Sequence, residues 1–171
     1  MVCVKDLQAL YDYGYWANRK IFDVLAQLTQ EEFTQEVAGS FGSVRNTMVH
    51  MISAEWGWLD RSGGAARGPA LVATNYPTVA SLADQWSQVE ANMREFLATL
   101  SDSDLDQLRE FSFGGPAYSM RRGDLLQHAA IHGVHHRGQV ALLLRSLGHA
   151  PGNFDVLFYY GQYQGVALQS R

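Results

Sequence analysis

Four histidines, His128, His132, His135 and His136, fall within nine residues, and two pairs of them stand four positions apart. Residues four apart share one face of a helix. Such a pair can offer two neutral imidazoles to one ion without the repulsion that paired carboxylates would bring. Six histidines scattered over 171 residues would not cluster this way without a cause, and a divalent metal supplies one. His132 and His136 are the expected ligands. His128 and His135 read as hydrogen-bonded core or surface residues, His135 because it points elsewhere round the helix.

Two histidines hold a metal weakly, so a third ligand is expected from another helix. His50 fits, because it stands among Met48, Val49, Met51 and Ile52, where a polar ring needs a partner. His132-Gly-Val-His-His136 has the spacing of a zincin helix, but Gly133 stands where that motif carries its general-base glutamate. No Glu-x-x-His pair occurs, which argues against a carboxylate-bridged di-iron centre. One metal on His50, His132 and His136 would keep its full charge and open positions, as catalytic sites do. Zinc or nickel suits three imidazoles, and iron or another first-row ion remains open. For a base, the second helix offers Glu55, five residues from His50, and the first offers Asp12; each reads first as a solvated carboxylate.

The spacing of apolar residues supplies the helices that must position these groups. Leu7, Leu10, Tyr11, Tyr15, Ile21, Leu25 and Leu28 recur at three and four, the face of a first amphipathic helix. Ser43 can cap a second helix that runs through His50, Trp56 and Leu59 to Gly63-Gly64. Gly63 to Pro77 reads as a surface connection. Thr78 caps a third helix carrying Leu82, Trp86, Val89, Met93, Phe96 and Leu100. Ser101-Asp-Ser-Asp suggests a short turn, and alternation from Phe111 to Met120 around Gly114-Gly115 suggests a small hairpin. The histidine helix runs from Asp124 to Leu147, ended by Gly148 and Pro151, and a short amphipathic piece follows from Phe154 to about Tyr163. The expected fold is all-α: an antiparallel four-helix bundle with a short extra C-terminal helix, one domain over 1–171. The long connection between the second and third helices permits a crossover between parallel neighbours.

Composition limits the partners. The formal charge is −4, from 17 acidic and 13 basic side chains, with no basic stripe, so direct nucleic-acid binding is not expected. No apolar run approaches the roughly 20 residues of a membrane span. Cys3 is the single cysteine and no signal-peptide pattern opens the chain; a reducing cytoplasm is the expected compartment. Arg137 and Gln139 read as makers of interhelical hydrogen bonds, and Gly138 as a point of close helix approach. Trp16, Trp56, Trp58 and Trp86 read as core or dimer-interface residues. His149 reads as a loop residue.

The run His128-Ala-Ala-Ile-His-Gly-Val-His-His136-Arg-Gly-Gln-Val resembles the DinB/YfiT-like metalloenzyme family. Phe41-Gly-Ser-Val-Arg-Asn-Thr-Met-Val-His50, Tyr13-Gly-Tyr-Trp-Ala-Asn18 and the tail from Leu147 to Tyr160 are similar to it as well. The resemblance spans nearly the whole chain, and the His-x-x-x-His-Arg-Gly-Gln segment is its most specific part. It implies an up-down-down-up four-helix bundle, a homodimer, and a metal on residues matching His50, His132 and His136.

The resemblance also implies a range of chemistry, since enzymes of this fold join low-molecular-weight thiols such as bacillithiol or mycothiol to electrophiles. Fold alone does not fix function. The leading expectation is a thiol-dependent S-transferase acting on a small molecule. Metal-dependent hydrolysis is the second reading. A non-catalytic, stress-related binding protein whose ion pins two helices together is the third.

Overall fold

The computed structural model describes residues 2–112 and 114–163. Helix α1 spans Val4–Leu25, α2 Gln30–Thr34, α3 Val44–Arg61 and α4 Val79–Thr99. A two-stranded hairpin follows, β1 (Leu108–Ser112) and β2 (Ala117–Arg121), then α5 (Arg122–Ser146) and α6 (Val156–Tyr163). The expected hairpin is present, with β1 starting three residues before Phe111. Met1, Phe113 and residues 164–171 lie outside the described residues.

The helices start and stop where short polar residues and glycine allow. The Ser43 and Thr78 hydroxyls accept from the Asn46 and Ser81 amides and so cap α3 and α4. α5 ends on Gly148 at φ 86°. There the Gly148 and His149 amides donate back to the carbonyls of Arg145 and Leu144, a Schellman ending. The sequence pattern did not reveal α2, a single turn closed by reciprocal Thr29 and Glu32 hydrogen bonds. It is too short to show a period.

Contacts between helices fix the topology. Tyr11 hydrogen-bonds the Leu126 carbonyl and Arg137 the Asn18 side chain, so α1 and α5 rise together. Ser62 accepts from Arg122 while His50 meets His132 and His136, so α3 runs against α5. Asp12 pairs with Arg94 and Phe22 packs on Trp86, so α1 runs against α4. The order is therefore up-down-down-up across α1, α3, α4 and α5. Residues 62–78 make the crossover that carries the chain back between parallel α3 and α4.

Two apolar layers fill the bundle. One, at the α3 N-terminal end, holds Ile21, Leu25, Phe33, Met48, Ile52, Leu82, Trp86 and Leu144. The other holds Leu7, Tyr11, Leu59, Met93, Leu97 and Leu126. Trp16 and Trp86 are buried, and Trp16 with Tyr13 receives Tyr159 of α6. No helix among the described residues is long and apolar enough to cross a membrane.

Candidate metal centre

Between the apolar layers α3 and α5 bring together His50, one half-buried ligand candidate, with half-buried His132 and buried His136. Their Nε2 atoms stand 3.0 Å (His132 to His136), 3.2 Å (His50 to His136) and 3.4 Å (His50 to His132) apart. Three nitrogens bound at about 2.0–2.1 Å to a tetrahedral zinc would be about 3.3–3.4 Å apart. Burial and the charge of neighbouring imidazoles push His50 and His132 down to about 4, and burial lowers His136 as well. All three are therefore neutral at neutral pH, the form that ligates. Three converging imidazole nitrogens of this kind suit a shared cation. The group could hold a divalent metal, and its donors fit one.

A second layer orients the ligands. His136 Nδ1–H donates to Gln139 Oε1 at 2.6 Å, which leaves its Nε2 lone pair for the ion. Ser40 Oγ donates to the same Gln139 oxygen at 2.8 Å, and His135 Nε2 meets the Gln139 amide nitrogen at 3.0 Å. Ser40 sits at φ 49°, a strained left-handed conformation for a residue with a side chain. That turn lays Phe41 flat on His50, ring centroids 3.9 Å apart. Gln139 thus holds a candidate ligand, His136, rather than making the simple interhelical bond its sequence suggested. Ser40 and Phe41 carried no signal on composition or period.

The other histidines stand apart. His128 is exposed, 6.0 Å from His132 ring to ring, and sets its edge against Trp58. His135 faces outward onto Gln139, and His149 pairs with Glu32.

Three expectations need correction. Glu55 is enclosed rather than solvated: Tyr15 donates to it at 2.7 Å, and burial raises it to about 7. Gly138 meets no other helix, since a Cβ there would touch nothing within 4 Å. Trp58 packs one side against the Leu59–Leu126 apolar layer, as expected of a core aromatic, but it also walls the chamber described below. Asp12 is engaged by Arg94 on the bundle surface, away from the histidines. Arg137 makes the expected interhelical bond, donating to Asn18 at 3.2 Å. A Cβ at Gly133 would lie 3.2 Å from its guanidinium. The small residue in the zincin glutamate position therefore makes room for a buried arginine.

The histidines open onto a chamber of about 550 Å³ between α3, α5 and the hairpin. His50 and His132 form one side, and Trp58, Phe111, Tyr118, Met120 and Leu125 form mostly apolar walls. No carboxylate is among its described lining residues. A ligand on the metal would have space and a largely dry surround.

The comparisons with known proteins agree with this architecture. The chain is similar to the protein DinB of Bacillus subtilis, 29% identical over 169 residues, covering 90% of this chain and 91% of that protein. It is also 25% identical to the uncharacterized protein YizA of Bacillus subtilis over 146 residues, 85% of this chain and 90% of that one. A crystal structure of a DinB-like protein from Bacillus cereus superposes with a TM-score of 0.72 at 24% identity, covering 88% of this chain and 97% of that one. A conserved protein from Enterococcus faecalis gives 0.59 at 17% identity, covering 81% and 94%. Both show a shared fold. The DinB family model matches residues 3–165, and the chain belongs to the DinB family.

Proposed function

We propose that this protein is a metal-dependent enzyme that joins a low-molecular-weight thiol to a small electrophile. The observation that carries the reading is the convergence of three neutral histidines, two of them on the wall of a roomy, mostly apolar chamber with no carboxylate among its described lining residues. A zinc or nickel ion held there would supply a Lewis acid that lowers the pKa of a bound thiol. His50, His132 and His136 bind, Gln139 fixes the His136 tautomer, and Trp58, Phe111 and Tyr118 exclude water. In the reaction the thiol gives up its proton to solvent, a C–S bond forms at the electrophilic carbon, and the leaving group departs with its bonding pair. A hydrolase would want a side-chain base beside the ion. Glu55 is engaged by Tyr15 outside the chamber, so the thiol reading is favoured. A reducing cytoplasm would supply such thiols.

The test is conjugation of monochlorobimane by bacillithiol, mycothiol or glutathione with zinc- or nickel-loaded protein. At pH 7 a thiol of pKa about 8.5 is only ~3% thiolate, so full ionisation accelerates attack by up to about thirtyfold. That acceleration should vanish in His132→Ala. No metal-dependent conjugation with any of the three thiols would sink the reading. A cobalt-substituted protein whose spectrum ignores added thiol would instead favour an ion that only pins α3 to α5.

We also propose a homodimer through the outer face of α5. Ile131, Val134 and Leu142 are 55%, 41% and 67% exposed there, and Gly138 leaves open space among them. Leu142→Glu should then halve the mass measured by sedimentation equilibrium. A wild-type monomer at about 100 μM, about a hundredfold above a micromolar dissociation constant, would refute it.

A further inference from the structure

The buried arginine beside the histidines has a place built for it by two helices. Arg137 lies between Gly14 of α1 and Gly133 of α5, where a Cβ would stand 3.6 and 3.2 Å from its Nη1 atom. A missing side chain on each wall cuts the slot. Nη1 donates to Asn18 Oδ1 of α1 at 3.2 Å, the guanidinium carbon lies 5.4 Å over the Tyr13 ring, and Glu55 of α3 attracts its charge. Asn18 and Arg137 are both 3% exposed.

Neighbouring residues of an α-helix point about 100° apart. Gly133 directly follows His132 and Arg137 directly follows His136, so the two turns that aim histidines at α3 also aim the slot at α1. Fixing the direction of Arg137 therefore fixes that of both histidines. The leverage is large, because a helix with its side chains is about 5–6 Å in radius and a turn by about 10° carries a ring nitrogen roughly 1 Å. A metal bond tolerates only about 0.2 Å. Tyr11 also ties α1 to α5, but it grips the Leu126 carbonyl, about three turns from His136.

We propose that Arg137 is a positioning residue whose guanidinium, seated between Gly14 and Gly133 and held by Asn18, sets the rotation of α5 that turns His132 and His136 toward His50. This rests on reading the three histidines as a metal centre, and it adds the device that keeps them aimed.

The test combines zinc competition titration, the visible spectrum of cobalt-loaded protein and crystal structures of metal-free protein. Asn18→Leu keeps the branched shape but removes the acceptor, and should weaken zinc binding about tenfold. Arg137→Met fills the slot with an uncharged chain and should weaken it about tenfold to a hundredfold, the span found when groups behind a ligand are lost. The cobalt bands of both should shift or weaken. Asn18→Asp still accepts from Arg137 and should keep wild-type affinity and spectrum. Leu97→Ala, in the second apolar layer, loosens the bundle without touching the slot. It should lower stability to urea and leave zinc affinity and the cobalt spectrum unchanged. In metal-free Arg137→Met the Nε2 atoms of His132 and His136 should move about 1 Å relative to that of His50. Unchanged zinc affinity in both Asn18→Leu and Arg137→Met, or unmoved Nε2 atoms, would overturn the inference. So would an equal loss of affinity in Leu97→Ala, which would mean that general loosening opens the site. Wild-type protein that takes up neither zinc nor cobalt would end the metal reading, and the nitrogen positions in the metal-free crystals would then decide this inference alone.

Discussion

His132→Ala is expected to lower metal affinity more than a hundredfold. A structural zinc site contributes roughly 10–16 kcal/mol through four ligands, so each is worth about 3 kcal/mol. His50→Ala and His136→Ala should do the same, because all three Nε2 atoms lie within 3.4 Å of one another and would share one ion. Gln139→Leu should cost less, about tenfold to a hundredfold. It leaves the nitrogens in place but removes the acceptor that fixes the His136 tautomer. The measurement is metal content and competition titration on untagged protein, so that no added histidines contribute. About one equivalent retained in all three alanine variants would mean that the ion sits elsewhere.

Arg137→Ala should cost roughly 2–5 kcal/mol of stability, the range for truncating a large buried side chain, here one that also hydrogen-bonds Asn18. The Arg137 side chain is 3% exposed, donates to Asn18, and is the cation that counters burial of Glu55. The loss should depend on pH in a definite direction. Glu55 is raised to about 7 from 4.5, so the stability its proton confers is fully present below about 4.5 and is lost as pH rises through about 7. Without Arg137 the carboxyl is pushed higher still. The variant's deficit should therefore be larger at pH 8 than at pH 5. Urea unfolding at the two pH values reads the difference, and Glu55→Gln in the variant background should erase most of it. An equal deficit at both would show that Arg137 acts by packing alone.

Much of this was legible in the sequence, for identifiable reasons. The four long helices carried their apolar residues at three and four, and Ser43, Thr78 and Gly148 marked their ends. His132 and His136 announced themselves by spacing, and His50 by its apolar company. What stayed hidden was set by tertiary contact. Glu55 has the same local sequence whether it faces water or Tyr15, and only the approach of α1 decides. Trp58 resembled any other core aromatic until the hairpin closed a wall beside it. The Arg137 slot could not be foreseen, because Gly14 and Gly133 lie on different helices and flank one side chain only after α1 pairs with α5. Gly138 misled for the opposite reason: it invites a neighbouring helix, and none among the described residues takes the place.

The separation along the chain of the groups that meet at the centre bears on folding as well as chemistry. His50 is 82 residues from His132 and 86 from His136, so an ion shared among them ties the chain into one large ring. In the chain-entropy treatment a tie across about 80–90 residues denies the unfolded ensemble roughly 4–5 kcal/mol of conformational freedom, less whatever affinity the unfolded chain keeps for the ion. The parallel pairing of α1 with α5 also joins the two ends of the sequence, the slowest kind of contact to form. An ion that arrives early would shorten that search, and one that departs would leave the last helix to hold its place by packing alone.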